Sequence, residues 1–163
     1  MITLELPRTL ATEGEAWQGL GISRAGLVRF LREAQAAVGV KGDVAVLLAR
    51  DATLKKLNRQ FRGIDKATDV LSFPASVLGS ARLIAKHGGD LAISFETAQR
   101  QAEEHGHTLS EELRVLMLHG LLHLAGMDHE TDDGEMAARE MKLRRKLKLP
   151  AGLIARAHEV VAR

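Results

Sequence analysis

The feature that most constrains this chain is the run HGLLHLAGMDH at residues 119–129, which sets three histidines in one strongly apolar segment. If the segment is helical, His119 and His123 lie one turn apart on a single face, where two imidazoles can reach one metal ion. Gly126 can adopt a positive φ angle and end the helix, so that the chain turns back and brings His129 to the same ion. Three imidazoles with one open coordination position are typical of a catalytic zinc site rather than a closed structural one.

A non-functional interpretation of these histidines depends on how many of them are considered. A single histidine on a buried helix face is usually a hydrogen-bonded core residue rather than a ligand. The three-way spacing is different, because a shuffled chain with seven histidines in 163 residues would show it roughly once in a hundred tries. We therefore predict that His119, His123 and His129 bind one divalent metal ion, for which zinc is the first choice.

The run matches the metzincin protease motif HExxHxxGxxH in every position but one. Gly120 stands where those proteases carry the glutamate that serves as general base. A zinc peptidase is therefore an alternative function, but one that lacks the base in its usual place. Phosphodiester cleavage is less dependent on that glutamate, because hydroxide on the ion or the 2′-hydroxyl of RNA can act instead.

Hydrophobic periodicity predicts the secondary structure around this segment. Strands are predicted at residues 2–6, 44–49, 68–73 and 90–94, and a loop at 75–88. Helices are predicted to begin at four N-cap residues: Ser23, Asp51, Ser94 and Ser110. A last helix is predicted at 132–147, with three side chains toward the core: Met136, Met141 and Leu147.

The helix that begins near Ser110 is apolar almost all the way round, so we predict that it is the buried centre of the protein. Strands and helices joined by short connections indicate an α+β fold, in which a small mixed β-sheet is covered by helices around this metal-ligand helix. The length fits one domain over residues 1–163.

Composition excludes several classes of site. The chain has no cysteine, which rules out thiolate ligands, a cysteine nucleophile and disulfides, and agrees with a reducing compartment. It has no apolar run of membrane-spanning length and no signal-peptide pattern at its start, so we expect a cytoplasmic protein without membrane contact. The net charge of +2 is too small to indicate nucleic-acid binding by itself.

Two further side chains are candidates for the chemistry. Asp128 can either orient His129 or accept a proton during the reaction, and we favour orientation because turn aspartates usually bond the local backbone. Arg62 is expected at a helix end, where its guanidinium can fork onto a phosphate or simply complement the helix dipole in solvent. Six bases near the last helix present the same choice between a phosphate-facing patch and a solvated face: Arg139, Lys142, Arg144, Arg145, Lys146 and Lys148.

Taken with FRGIDKATDVLSFP at residues 61–74 and GDLAIS at 89–94, the histidine run resembles the YbeY family of bacterial endoribonucleases, the ribosomal RNA maturation factors. The resemblance covers about residues 43–147. This chain differs from the family pattern at Met127, where members commonly have an aromatic residue, and in a longer ending at 151–163.

The resemblance implies an α+β fold and a metal-dependent endoribonuclease that is specific for single strands. It implies a role in ribosomal RNA processing, including 3′ end maturation of the small-subunit RNA, and in ribosome quality control, with ribosomal RNA and the ribosome as partners. It also implies that Arg62 is functional. A zinc metallopeptidase and a non-catalytic ribosome assembly factor with a structural metal are the alternatives.

Overall fold

The computed structural model describes the backbone of residues 2–5, 20–74 and 87–150, and the side chains of residues 20–74 and 88–150. The strands in these ranges are β1 (Ile2–Glu5), β2 (Asp43–Ala49), β3 (Val70–Pro74) and β4 (His87–Ser94). The helices are α1 (Arg24–Val38), α2 (Asp51–Arg62), α3 (Phe95–His105), α4 (Leu109–Leu124) and α5 (Glu135–Lys146). Among these helices, none combines the length and apolar character that a bilayer crossing requires. The predicted loop lies largely outside the described residues, as does the tail at 151–163.

The four strands form one mixed sheet in the order β1-β2-β4-β3. β1 pairs with β2 and β2 with β4 in parallel, whereas β3 runs antiparallel to β4. The α+β prediction is confirmed, and the strands were placed within a few residues of their true bounds. The largest differences are that β3 begins at Val70 rather than residue 68, and β4 at His87 rather than residue 90.

Helix α4 is the centre of the protein, as the sequence predicts. It packs against α1, α3, α5, β3 and β4. Side chains from all sides of the helix are buried, including Leu113, Leu116, Met117, Leu118, Leu121 and Leu122. The opposite face of the sheet is covered by α2 over a smaller apolar cluster of Ala49, Leu54, Leu71 and Ala92.

Side-chain caps define where three of the helices begin. Ser23 and Ser94 accept hydrogen bonds from backbone N–H groups in the first turns of α1 and α3, as predicted. The prediction for α4 is wrong by two residues: its N-cap is Thr108, not Ser110. Thr108 and Glu111 cap each other's backbone N–H groups, an arrangement that satisfies two donors at once and outcompetes a single serine.

The predicted N-cap role of Asp51 is also wrong. The N-cap position is Arg50, which makes no side-chain cap, and Asp51 is the first residue of α2. Its carboxylate instead accepts hydrogen bonds from Ser94 Oγ at 2.6 Å, Thr97 Oγ1 at 2.5 Å and Arg100 at 2.8 Å, which joins α2 to the start of α3. Burial alone would raise the pKa of Asp51, but these donors outweigh it and lower the pKa to about 2.

Helix α5 begins at Glu135 rather than at residue 132, because the Asp132 carboxylate accepts the backbone N–H of Met136 and so lies outside the helix. Met136 is buried as predicted. Met141 is 43% exposed, so its predicted core position is wrong. Leu143, seven residues after Met136, takes that position instead, which fits the helical spacing of the buried face.

Candidate metal centre and its cleft

The structure brings the three predicted histidines together at the carboxyl end of α4. His119 and His123 lie on one face of the helix, with ring centroids 4.8 Å apart. Gly126 has a φ angle of 90°, and Met127 N–H donates to the Leu122 carbonyl at 3.1 Å, so the chain turns back as the sequence predicts. The turn places the ring of His129 at 5.5 Å and 5.6 Å from the other two.

The nitrogen atoms of this cluster suit a metal ion. One ligand nitrogen from each histidine lies within 4.8 Å of the others, and the Nε2 atoms of His119 and His123 are 3.2 Å apart. Zn–N bonds of 2.0–2.1 Å in a tetrahedral site place nitrogens roughly 3.4 Å apart. His119 is buried and His129 is exposed, so the cluster is closed on the core side and open toward solvent.

The charge state of His123 favours metal binding. Burial lowers its pKa, and the neighbouring His119 and His129 lower it further, against weaker opposite effects from the Met127 backbone and Asp128. A histidine must be neutral to offer a lone pair to a metal ion. The fold therefore keeps this ring in the form that a ligand requires.

Sequence reasoning missed a carboxylate that contacts the cluster from the core side. Glu140 of α5 lies with its Oε2 atom 2.8 Å from His119 Nδ1, and both side chains are almost fully buried. The signal was available, because Glu140 follows Met136 by four residues and precedes Leu143 by three. A glutamate on the apolar face of a helix needs a polar partner, and His119 supplies it.

The cluster opens into a cleft of about 500 Å³ that reaches across the edge of the sheet. Arg62, the last residue of α2, lines this cleft together with the three histidines, although it comes from a different helix and a distant part of the sequence. Arg62 and the three histidines, which the sequence predicts as site residues, therefore line the same cavity. The remaining lining residues are Thr68, Asp69, Val70, Leu71, Ser72, Pro74, Gly126, Met127, Asp128 and Glu130.

Asp128 lines the cleft together with its neighbour in sequence, His129. Its Oδ1 atom accepts the backbone N–H of Glu130 at 3.0 Å, which is the local turn contact expected of an aspartate in this position. The contact orders the turn that carries His129.

Three of the six bases near α5 take part in contacts within the protein. Arg139 donates to the carbonyl of Val38 at the end of α1, and Arg144 to the carbonyl of Leu149. Arg145 contacts the sulfur of Met141. The other three bases are exposed: Lys142, Lys146 and Lys148.

Gly120 faces the sheet rather than the cleft. A Cβ atom at this position would lie 2.7 Å from Leu91 Cδ2 on β4, and Ser72 Oγ donates to the Gly120 carbonyl at 3.2 Å. There is no room for a glutamate side chain in this direction. The site therefore has the three histidines of the metzincin motif, but it has no space for the glutamate that serves metzincins as general base.

Comparison with known proteins identifies the family. The model of the family described as Endoribonuclease YbeY matches residues 23–148. The chain belongs to the YbeY family. A YbeY relative from Koribacter versatilis, named Endoribonuclease YbeY, is 56% identical over 136 residues, which cover 83% of this chain and 85% of that protein.

A second curated relative and one solved structure are also similar to this chain. A YbeY protein from Nautilia profundicola, with the same name, is 51% identical over 114 residues, or 70% of this chain and 78% of that one. A protein from Thermotoga maritima, whose structure was determined in solution, is 29% identical and has a TM-score of 0.51 over 90% of this chain and 89% of its own.

Proposed function

We propose that this protein is a metal-dependent, single-strand-specific endoribonuclease that acts in ribosomal RNA processing, including 3′ end maturation of the small-subunit RNA, and in ribosome quality control. The observation that carries the proposal is the meeting of the three histidines and Arg62 in one open cleft of a YbeY-family chain. The relatives bear the name endoribonuclease.

We infer that His119, His123 and His129 hold one metal ion and that the ion is zinc. All three donors are imidazole nitrogens with spacing near that of a tetrahedral site. Bound there, the ion would supply Lewis acidity toward a phosphoryl oxygen of the substrate. His119 and His123 are fixed by the helix, so the turn at residues 125–129 determines how well the third donor is placed.

Arg62 is proposed to grip the phosphate of the substrate. It stands at the end of α2, where its exposed side chain enters the cleft from the wall formed by α2 and the loop that follows it. A guanidinium can make two parallel hydrogen bonds to phosphate oxygens and so hold the phosphate in one orientation. Asp128 is proposed to orient His129 through the turn that its carboxylate orders.

The proposed partners are single-stranded RNA, ribosomal RNA and the ribosome. Aromatic residues make up 3% of the chain, so few rings are present to stack on bases, and binding should depend mainly on phosphate contacts. Selection of the cleavage site would then follow from RNA shape or from docking on the ribosome. We infer a cytoplasmic location, where ribosomes are assembled.

The test is an assay of the purified full-length chain on single-stranded RNA and on an unfolded protein substrate, each with and without a chelator. We expect RNA cleavage that the chelator abolishes, no peptide cleavage, and one metal ion per chain that His123→Ala loses. Chelator-sensitive peptide cleavage would favour the zinc peptidase. A metal-bound protein that cleaves neither substrate would favour the assembly factor.

Arg62→Ala separates a phosphate contact from a solvated helix end. We expect single-turnover cleavage to fall by about a hundredfold, the scale observed when one positioned donor is removed, with unchanged metal content and thermal stability. Lysine should rescue poorly, because one ammonium group cannot form the same pair of hydrogen bonds. Arg59→Ala is the matched control: Arg59 is also an exposed base in the last turn of α2, but it does not line the cleft. Equal effects of the two substitutions would contradict the phosphate contact.

A further inference from the structure

A buried carboxylate lies behind the histidine cluster and is not among the groups that line the cleft. Glu140 Oε2 is 2.8 Å from His119 Nδ1, and the two side chains are 3% and 8% exposed. Glu140 belongs to α5 and His119 to α4, so the contact joins two consecutive helices through residues that are 21 positions apart in the sequence. The role of this contact depends on which nitrogen of the His119 imidazole carries the hydrogen.

The two ring nitrogens of His119 face different partners. Nδ1 meets the carboxylate, and Nε2 lies 3.2 Å from His123 Nε2 inside the cluster. A neutral imidazole carries one N–H and an ionised carboxylate can only accept, so a hydrogen bond between these two forms requires the hydrogen on Nδ1. Nε2 then presents its lone pair to the cluster, which is what a metal ligand must do.

We propose that Glu140 is a positioning residue of the metal centre: by accepting the Nδ1 hydrogen of His119, it fixes the tautomer and ring orientation that allow the three histidines to bind zinc tightly. This inference rests on the proposed metal-binding function. Partners of this kind also make the ligand nitrogen more basic, and their removal typically weakens metal binding about 10- to 100-fold.

A purely structural role for the contact makes different predictions. A buried carboxylate is a costly way to join two helices, because it must be withdrawn from water, and replacing both partners of such a pair by apolar residues is often neutral or stabilising. Met136 and Leu143 already provide apolar packing on the same face of α5. If Glu140 only joined the helices, its loss would change stability and leave zinc affinity as it was.

The experiment is a competition titration of zinc between a chromophoric chelator and the full-length chain, freed of metal beforehand. We expect the zinc Kd to weaken about 10- to 100-fold in Glu140→Leu, with a smaller loss in Glu140→Gln, because glutamine keeps an acceptor for Nδ1–H but lacks the charge. Metal-free Glu140→Leu should melt at a lower temperature than the wild type, because the buried Nδ1–H of His119 loses its acceptor, whereas Glu140→Gln keeps an acceptor and should melt closer to the wild type. Glu112→Gln is the control, since Glu112 is also a buried glutamate but lies two helical turns before His119.

A second measurement does not depend on the variants. Nitrogen NMR of the metal-free wild type should show His119 as the Nδ1–H tautomer, and Glu140→Leu should lose this preference. An Nε2–H tautomer in the wild type, or a zinc Kd within about twofold of wild type in both variants, would overturn the role of Glu140. A wild-type chain that binds no zinc in the same titration would instead refute the metal-binding function itself.

Discussion

Replacing Gly120 with alanine tests how closely α4 packs against the sheet beside the histidines. The added Cβ atom would lie 2.7 Å from Leu91 Cδ2, 3.1 Å from Leu91 Cδ1 and 3.3 Å from Ser72 Oγ. Leu91 is 1% exposed, so its side chain has no solvent-filled space into which it can move. Gly120→Ala must therefore distort Leu91 or move α4 away from β4, and both changes disturb a densely packed core.

Two effects of opposite sign determine the magnitude. Alanine is favoured over glycine in a helix interior by about 1 kcal/mol, whereas overpacking of a filled core costs about 1–3 kcal/mol. We expect a net loss of about 1 kcal/mol in the free energy of unfolding, measured by urea denaturation with an unchanged slope. Gly26→Ala in α1 is the control, because its Cβ would have no contact closer than 3.4 Å, so this variant should be as stable as wild type or more stable.

A double-mutant cycle separates the contact from other effects of the substitution. Leu91→Ala removes both Cδ atoms and opens the space that the new Cβ requires. In that background Gly120→Ala should no longer destabilise the protein, so the two changes should differ from additivity by about 1–2 kcal/mol. Additive effects, or a stabilised Gly120→Ala single variant, would refute the close packing between α4 and β4.

Two further predictions concern carboxylates. The pKa of Asp51 is lowered from 3.8 to about 2 in the folded protein. Ionised Asp51 therefore contributes about 1 kcal/mol to the free energy of unfolding after solvent screening. This contribution is complete above about pH 4 and is lost as the pH falls toward 2. Urea denaturation across this range should show the loss in the wild type but not in Asp51→Asn. Asp128→Asn keeps an oxygen that can accept the Glu130 N–H, so it should retain metal and most RNA cleavage, whereas Asp128→Ala should bind metal more weakly. A large loss of cleavage in Asp128→Asn with metal retained would assign Asp128 a proton-transfer role instead.

The sequence predicts the parts of the site that depend on local geometry. His119 and His123 are four residues apart, which a helix converts into a shared face, and Gly126 supplies the positive φ angle that ends the helix. The caps at Ser23 and Ser94 are equally local, because a side chain bonds the backbone two or three residues later. Each of these inferences needs only the secondary structure and the residue type.

The errors occur where tertiary contacts outweigh local preference. Asp51 has the residue type of an N-cap, but its carboxylate instead accepts hydrogen bonds from Ser94 and Thr97, which are more than forty residues later in the chain. The spacing of Glu140 from Met136 and Leu143 places it on the buried face of α5, but only the packing of α5 on α4 shows that its partner is His119. Such pairings are not encoded in spacing along one helix.

The orientation of Gly120 also bears on which substrate the site can serve. A peptide bond brings no nucleophile with it, so a peptidase needs a base held at a fixed position, and the metzincin glutamate occupies the position that here faces Leu91. The carboxylates that do line the cleft lie outside the helices rather than on α4 beside the histidines: Asp69, Asp128 and Glu130. RNA carries a 2′-hydroxyl next to every phosphate and therefore depends less on a base supplied by the protein. A site with three histidines, an arginine in the same cleft and no helical glutamate is better matched to RNA than to peptide.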